Sequence, residues 1–296
     1  MMKKNRFLST IIISVVMAFL FAPMLVLIVF SFNSGNSTAA FQGFSLKWYG
    51  VLLNDAETLN ALKNSLILAV TSAAISTVMG TAAAYGLGKM RSKYLKNMIM
   101  TTTNIPMINP DIITGISLML MFVFVGSMLG FADKLSFWTM LIAHVTFGLP
   151  YVIMSVLPKI NQMDKSLPEA ALDLGCTPLQ TFFKVELPEI MPGVVSGAIM
   201  AFTMSLDDFV ISYFTKGSSF QTLPLLIYSM TKKRVTPKIY ALATIIFFVI
   251  LIMLLISNLM GTRDERLKVK LAKHERKLRR QQSMKMRNAR KEAGSK

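Results

Sequence analysis

KINQMDKSLPEAALDLGCTPLQTFFKVELPEIM, Lys159 to Met191, is the stretch on which the fold turns. It separates two apolar runs, and it is too long for a turn and too patterned for a loose linker. Ser166 ahead of Leu167 and Pro168 predicts a helix with Pro168 in its first turn. Glu169 then meets the positive end of the helix dipole, and Ala170, Ala171 and Leu172 carry the helix on. Gly175 supplies the stop, Thr177 a second N-cap and Pro178 a first helical position, and Pro188 is expected to end this second helix before the next apolar run. A hairpin with small residues at Ala170 and Ala171 can lie close in a groove on another protein; a helical loop with no partner fits the same residues.

The flanks set the class. Hydrophobic residues make up 53% of 296, charged residues 16%, and the mean hydropathy is +0.52, which exceeds what a soluble domain carries. Six spanning helices are predicted, over Leu8–Phe30, Ala61–Leu87, Met98–Val125, Ser136–Leu157, Pro192–Tyr213 and Ile239–Met260. The fold class is therefore an all-α polytopic membrane protein. The first run follows Lys3, Lys4 and Arg6 like a signal peptide, but it is about twice the usual length of such a core and is expected to be retained. Three regions follow: residues 1–60 as first helix and outer loop, 61–260 as core, and 261–296 as a basic tail.

Basic residues orient the spans. The N-terminus, Lys89–Lys96 and the tail from Arg263 alternate as cytoplasmic, which puts both termini on the inner side of a bacterial cell membrane. The loop holding Lys232, Lys233, Arg234 and Lys238 breaks the rule, but 14 Lys/Arg against 4 Asp/Glu after Gly261 outweigh it. That tail supplies much of the net charge of +17 and carries no aromatic residue for a base to stack on, so lipid headgroups are its expected partner and nucleic acid is not. In the first outer loop, FSLKWYGVLLND (Phe44–Asp55) predicts a short interfacial helix. Trp48 and Tyr49 are expected to anchor it, with ligand contact by Trp48 as the alternative.

Acids within spans are costly and mark function. In FTMSLDDFVISYF (Phe202–Phe214), an unbroken helix puts Ser205, Asp208 and Ser212 on one stripe and Thr203, Asp207 and Ile211 on the next. Asp111 follows NIPMINP, where Pro106 and Pro110 break a helix, and broken backbone in a membrane belongs beside protein or water. Asp111, Asp207 and Asp208, with Ser205 as an orienting hydroxyl, are candidates for the path of a cation. Pairing of the two adjacent acids with Ser, Thr or Lys stays open, as does a simple dipole role for Asp111. Because the charge is expensive to bury, Asn at any of these positions is expected to insert at least as well as Asp.

Catalytic readings fail. Gly88-Lys89 lacks the remainder of a phosphate loop, His144 and His274 form no credible dyad, and Cys176 is the one cysteine. His144 is expected to be a hydrogen-bonded packing residue.

Glu169-Ala170-Ala171, three residues, Gly175, nine residues, then Val185-Glu186-Leu187-Pro188 resembles the EAA loop of ABC-importer permease subunits, with Val185 where Ile is common. IPMINPDIITGISLML (Ile105–Leu120), HVTFGLPYV (His144–Val152), SLDDFVISYFTKG (Ser205–Gly217) and LPLLIYSM (Leu223–Met230) are similar to the spermidine/putrescine importer permeases, in particular their C-type subunit. The resemblance implies that Glu169, Ala170, Ala171, Gly175, Leu187 and Pro188 form the joint with a cytoplasmic ATPase. It also implies a second permease subunit, two ATPase subunits that hold the ATP and Mg, an extracytoplasmic substrate-binding protein and a polyamine cargo, with no cofactor on this chain and no catalysis by it.

Overall fold

In a membrane every backbone polar group has to be satisfied within the segment, and long apolar runs therefore become helices. The computed structural model describes residues 2–36, 40–131, 133–164, 166–218, 220–232, 237–252 and 255. Its helices, in order, are α1 (Met2–Ser31), α2 (Lys47–Leu53), α3 (Ala56–Lys89), α4 (Lys93–Ile108), α5 (Asp111–Met128) and α6 (Phe137–Gln162). Then follow α7 (Ser166–Asp173), α8 (Pro178–Thr181), a π turn (Phe182–Glu186), α9 (Leu187–Asp207), α10 (Val210–Thr215), α11 (Leu223–Lys232) and α12 (Pro237–Ile252). Among the described residues five segments are long and apolar enough to span a membrane: Leu8–Ser31, Ala56–Lys89, Asp111–Met128, Phe137–Gln162 and Pro178–Asp207. The sixth predicted span is helical over Pro237–Ile252; the rest of it apart from Leu255, the basic tail, Lys233 and Arg234 lie outside the described residues.

The core is a three-helix packing of α3, α6 and α9. Lipid tails are as apolar as leucine, so what joins spanning helices is close packing, and small residues permit it. A Cβ on Gly197 would sit 3.0 Å from the Val152 Cα, and one on Gly193 would sit 2.8 Å from the Ser155 carbonyl oxygen. These glycines, one turn apart on α9, let its backbone rest against α6. Val152, Val156, Ala84, Leu87 and Ile190 fill the seam. By contrast α1 is exposed from Leu8 to Val26 and attaches at its end, through Phe30 against Tyr240 and a 2.8 Å hydrogen bond between the Ser31 and Tyr49 hydroxyls.

Two predicted boundaries move. Pro188 does not end the second loop helix: α8, the π turn and α9 run continuously from Pro178 to Asp207. The ladder has already shifted by one residue there, since the Leu187 N–H bonds the Phe182 carbonyl, and Pro188 falls in the first turn of the new register, where its missing N–H costs little. Pro106, expected to break its span, lies inside α4; the break comes at Asn109-Pro110, where α5 begins with Asp111.

Candidate functional site

At one end of the bundle, α7 and α8 form the hairpin read from the sequence. Asp164 precedes it, and the backbone N–H of Ser166 donates to its carboxylate at 3.0 Å; that bond and the Ser166 hydroxyl hold Asp164 below the usual aspartate range. The helix closes in a Schellman motif: Gly175 N–H bonds the Leu172 carbonyl at 2.9 Å, Cys176 N–H bonds Ala171 at 3.1 Å, and Gly175 has φ +87°. Thr177 caps α8, as expected from the sequence, and the structure adds a reciprocal box with Gln180. Glu169 and Ala170 are exposed on α7, Ala171 turns inward, Leu187 is half-buried against the core, and Pro188 is exposed. Beside them Leu174, Leu179 and Phe183 are 86%, 71% and 61% exposed, an apolar surface at the end of a membrane protein that no described residue covers.

The second cluster lies in the body of the bundle. Asp207 is the last residue of α9; Asp208 is extended, and α10 restarts at Val210. The unbroken stripes drawn from the sequence are therefore replaced by a break between the two acids, and it gives them different surroundings. The Asp208 carboxylate accepts from the backbone N–H of Ser212 at 2.7 Å and of Ile211 at 3.2 Å, so it caps α10. It also lies 3.5 Å from His144 Nε2, with both side chains buried. His144 Nδ1 shares a 2.8 Å hydrogen bond with Ser205, Nε2 a 3.0 Å bond with Ser212, and Ser72 on α3 donates to Ser205 at 2.9 Å. Helices α3, α6, α9 and α10 are thus stitched together by one buried polar network, with His144 as its hydrogen-bonded packing centre.

Asp207, by contrast, is exposed, and no hydrogen bond or ion pair to another side chain holds it among the described residues. It borders a cavity of about 310 Å³ whose walls include Leu52, Leu62, Leu206, Leu223 and Ile227. Asp111 is exposed at the start of α5. The described residues show no contact joining Asp111 to Asp207 or Asp208. Trp48 is half-buried; its indole N–H donates to the Asn33 carbonyl at 2.8 Å, and its ring packs with the cluster around Leu52, Ala61 and Leu226, pinning the loop ahead of α3. Asn in place of Asp208 is no longer expected to be free of cost, because the carboxylate has two N–H groups to satisfy.

Sequence reasoning passed over Ser72 and Tyr85, and took Lys89 only as part of a basic loop and of a failed phosphate loop. Ser72 reads as one small residue among many on α3. Tyr85 and Lys89 look like an ordinary interfacial pair, and their partner, Glu186, lies 101 positions from Tyr85.

Comparison with known proteins adds the relationship. The family model for binding-protein-dependent transport system inner membrane components matches residues 76–269. The putrescine transport system permease protein PotI of Escherichia coli (strain K12) is 41% identical over 228 residues, covering 77% of this chain and 81% of that one. The spermidine/putrescine transport system permease protein PotC of the same strain is 38% identical over 261 residues, covering 88% and 96%. Among solved structures, a bacterial ABC transporter involved in the import of the acidic polysaccharide alginate matches with a TM-score of 0.66 at 15% identity, over 86% of this chain and 96% of that one. The MetNI methionine ABC transporter in an inward-facing conformation matches at 0.52 and 19%, over 76% and 97%. Those two likenesses speak for the fold; the family model and the sequence relatives decide the kinship, and this chain belongs to the binding-protein-dependent transport system inner membrane components.

Proposed function

We propose that this chain is a permease subunit of an ATP-driven importer of spermidine or putrescine. The observation that carries the reading is its 38% identity across 88% of its length to a protein named as a spermidine/putrescine permease. The chemistry of the bundle agrees with it. A polyamine alternates ammonium groups with short methylene runs, and Asp207 offers one carboxylate at the edge of an aliphatic cavity. Asp111, on a helix that starts at a break in the span, is a second station. Asp208 and Ser205 hold the break in shape, which fixes where Asp207 points, and Trp48 fixes the loop above the cavity.

The hairpin at the other end of α3 is the docking element for an ATPase subunit. Glu169 and the exposed Leu174, Leu179 and Phe183 set a carboxylate beside apolar side chains, a surface that suits a groove on a soluble partner. ATP and Mg belong to that partner, of which two copies serve two permease subunits; this chain contributes the path and the joint. A substrate-binding protein on the other side delivers the cargo, as a periplasmic protein accompanies the alginate transporter in its complex. The termini, the hairpin and the basic tail lie on the cytoplasmic side of the bacterial inner membrane, the tail against lipid headgroups.

Uptake of labelled spermidine and putrescine in cells holding matched amounts of protein tests the assignment. Asp207→Asn and Asp111→Asn are expected to lower uptake strongly with ATPase association intact, and Glu169→Lys to lower both together. Parental uptake in all three variants refutes the site.

A further inference from the structure

We infer that Glu186, gripped by Tyr85 and Lys89, is the positioning residue that ties the α7–α8 hairpin to α3, so that movement of the hairpin is passed into the spanning bundle. The inference rests on the proposed reading of that hairpin as the ATPase joint.

Glu186 is the last residue of the π turn, and it is 1% exposed. The Tyr85 hydroxyl donates to one of its carboxylate oxygens at 2.5 Å, and Lys89 Nζ lies 2.9 Å from the other. Lys89 also donates to the Tyr85 hydroxyl and stands 4.4 Å from the centre of its ring. Phe182, the first residue of the same turn, meets the Tyr85 ring edge to face at 4.8 Å. Both ends of the π turn are thus fastened to one side chain near the end of α3.

The surroundings make this fastening the main polar route. α7 packs chiefly on α8 and the π turn. On its other side a cleft of about 610 Å³, bordered by Glu169, Lys89, Lys96 and Glu186, separates it from the ends of α3 and α4. The hairpin therefore has open space beside it and a directional link at its base. An apolar side chain of similar size avoids the desolvation that a buried carboxylate suffers, so stability alone does not call for Glu186. A short charge-assisted hydrogen bond with an ion pair gives what apolar packing does not, a fixed angle between turn and helix. From Tyr85, α3 runs back about 20 Å to Ser72, which bonds Ser205 beside the break at the two acids.

The test uses the complete complex with its ATPases, second permease and binding protein in proteoliposomes. Assembly, substrate accumulation and the stimulation of ATP hydrolysis by the loaded binding protein are measured together. Glu186→Gln and Lys89→Met are expected to leave assembly intact and to cut that stimulation roughly tenfold, the size of one charge-assisted hydrogen bond. Lys89→Arg, which keeps the charge, is expected to restore it, and Tyr85→Phe together with Glu186→Gln to be no worse than Glu186→Gln alone. Parental stimulation in an assembled Glu186→Gln complex overturns the inference, as does a defect confined to the amount of complex formed. Substrate accumulation by the parent checks the cargo reading separately, so a complex stimulated without moving polyamine sinks that reading and leaves the tether to be decided by the stimulation ratio.

Discussion

Replacing Asp208 with Asn removes a charge while keeping the shape, and the structure says what it costs. The carboxylate serves the N–H groups of Ile211 and Ser212 with separate oxygens and faces His144 at 3.5 Å. An asparagine keeps one acceptor oxygen and turns an N–H₂ toward a position that needs an acceptor, so one buried donor of α10 loses its partner. An orphaned buried donor costs about 1–3 kcal/mol, and Asp208→Ala, which orphans both, is expected to cost about twice as much. Asp207 has no such duties, and Asp207→Asn is expected to stay within about 0.5 kcal/mol of the parent. Thermal unfolding of the purified protein in detergent, followed by loss of the monodisperse fraction, separates these outcomes. Equal melting of Asp207→Asn and Asp208→Asn, or an Asp208→Asn protein more stable than the parent, refutes the capping role.

Three other perturbations have defined outcomes. Gly175→Ala forces a side chain onto φ +87° in open space, so the cost is backbone strain of about 1–2 kcal/mol; maleimide labelling of the adjacent Cys176 is expected to speed up by about tenfold, and an unchanged rate rules the strain out. Gly197→Val pushes against the Val152 backbone, so the protein is expected to lose its folded fraction on extraction, whereas normal yield and melting contradict close α6–α9 packing. Asp55 is held below its ordinary value of 3.8, first by its hydrogen bond from Lys238 and then by Thr58. A depressed carboxylate contributes stability that is present above its unfolded pKa and lost as the pH falls through the folded one. Melting is therefore expected to drop below about pH 4, and Lys238→Met to flatten that drop; an identical acid profile for Lys238→Met contradicts it.

The spans and the hairpin were legible because each rests on local signals. Long apolar runs predict the spans, and Thr177-Pro178 and Gly175 mark helix ends through their own backbone preferences. The continuity from Pro178 to Asp207 was hidden because a π turn leaves no periodic signature, and Pro188 reads as a terminator unless the shifted ladder is known. The break between Asp207 and Asp208 contains neither Gly nor Pro, although Asp208 ahead of Val210–Thr215 is the side chain that caps a helix. That signal was available, and the apolar run masked it. The buried network joins residues 61 and 68 positions apart, through His144 with Ser205 and Ser212, and no local pattern announces such pairs. Glu186 stands within a motif whose neighbours draw the attention, and its burial follows from Tyr85 and Lys89 on another helix.

The proposed role of this chain is to carry a polycation across a membrane at the expense of ATP hydrolysed by a partner. Its most direct test is accumulation of labelled spermidine and putrescine by proteoliposomes holding the assembled complex, with binding protein outside and ATP within. Accumulation is expected to need ATP and the binding protein, to be competed away by unlabelled polyamine but not by amino acids or anionic solutes, and to fall strongly with Asp207→Asn. Accumulation driven by an ion gradient without ATP, or ATP-driven uptake of another solute with polyamine excluded, contradicts it.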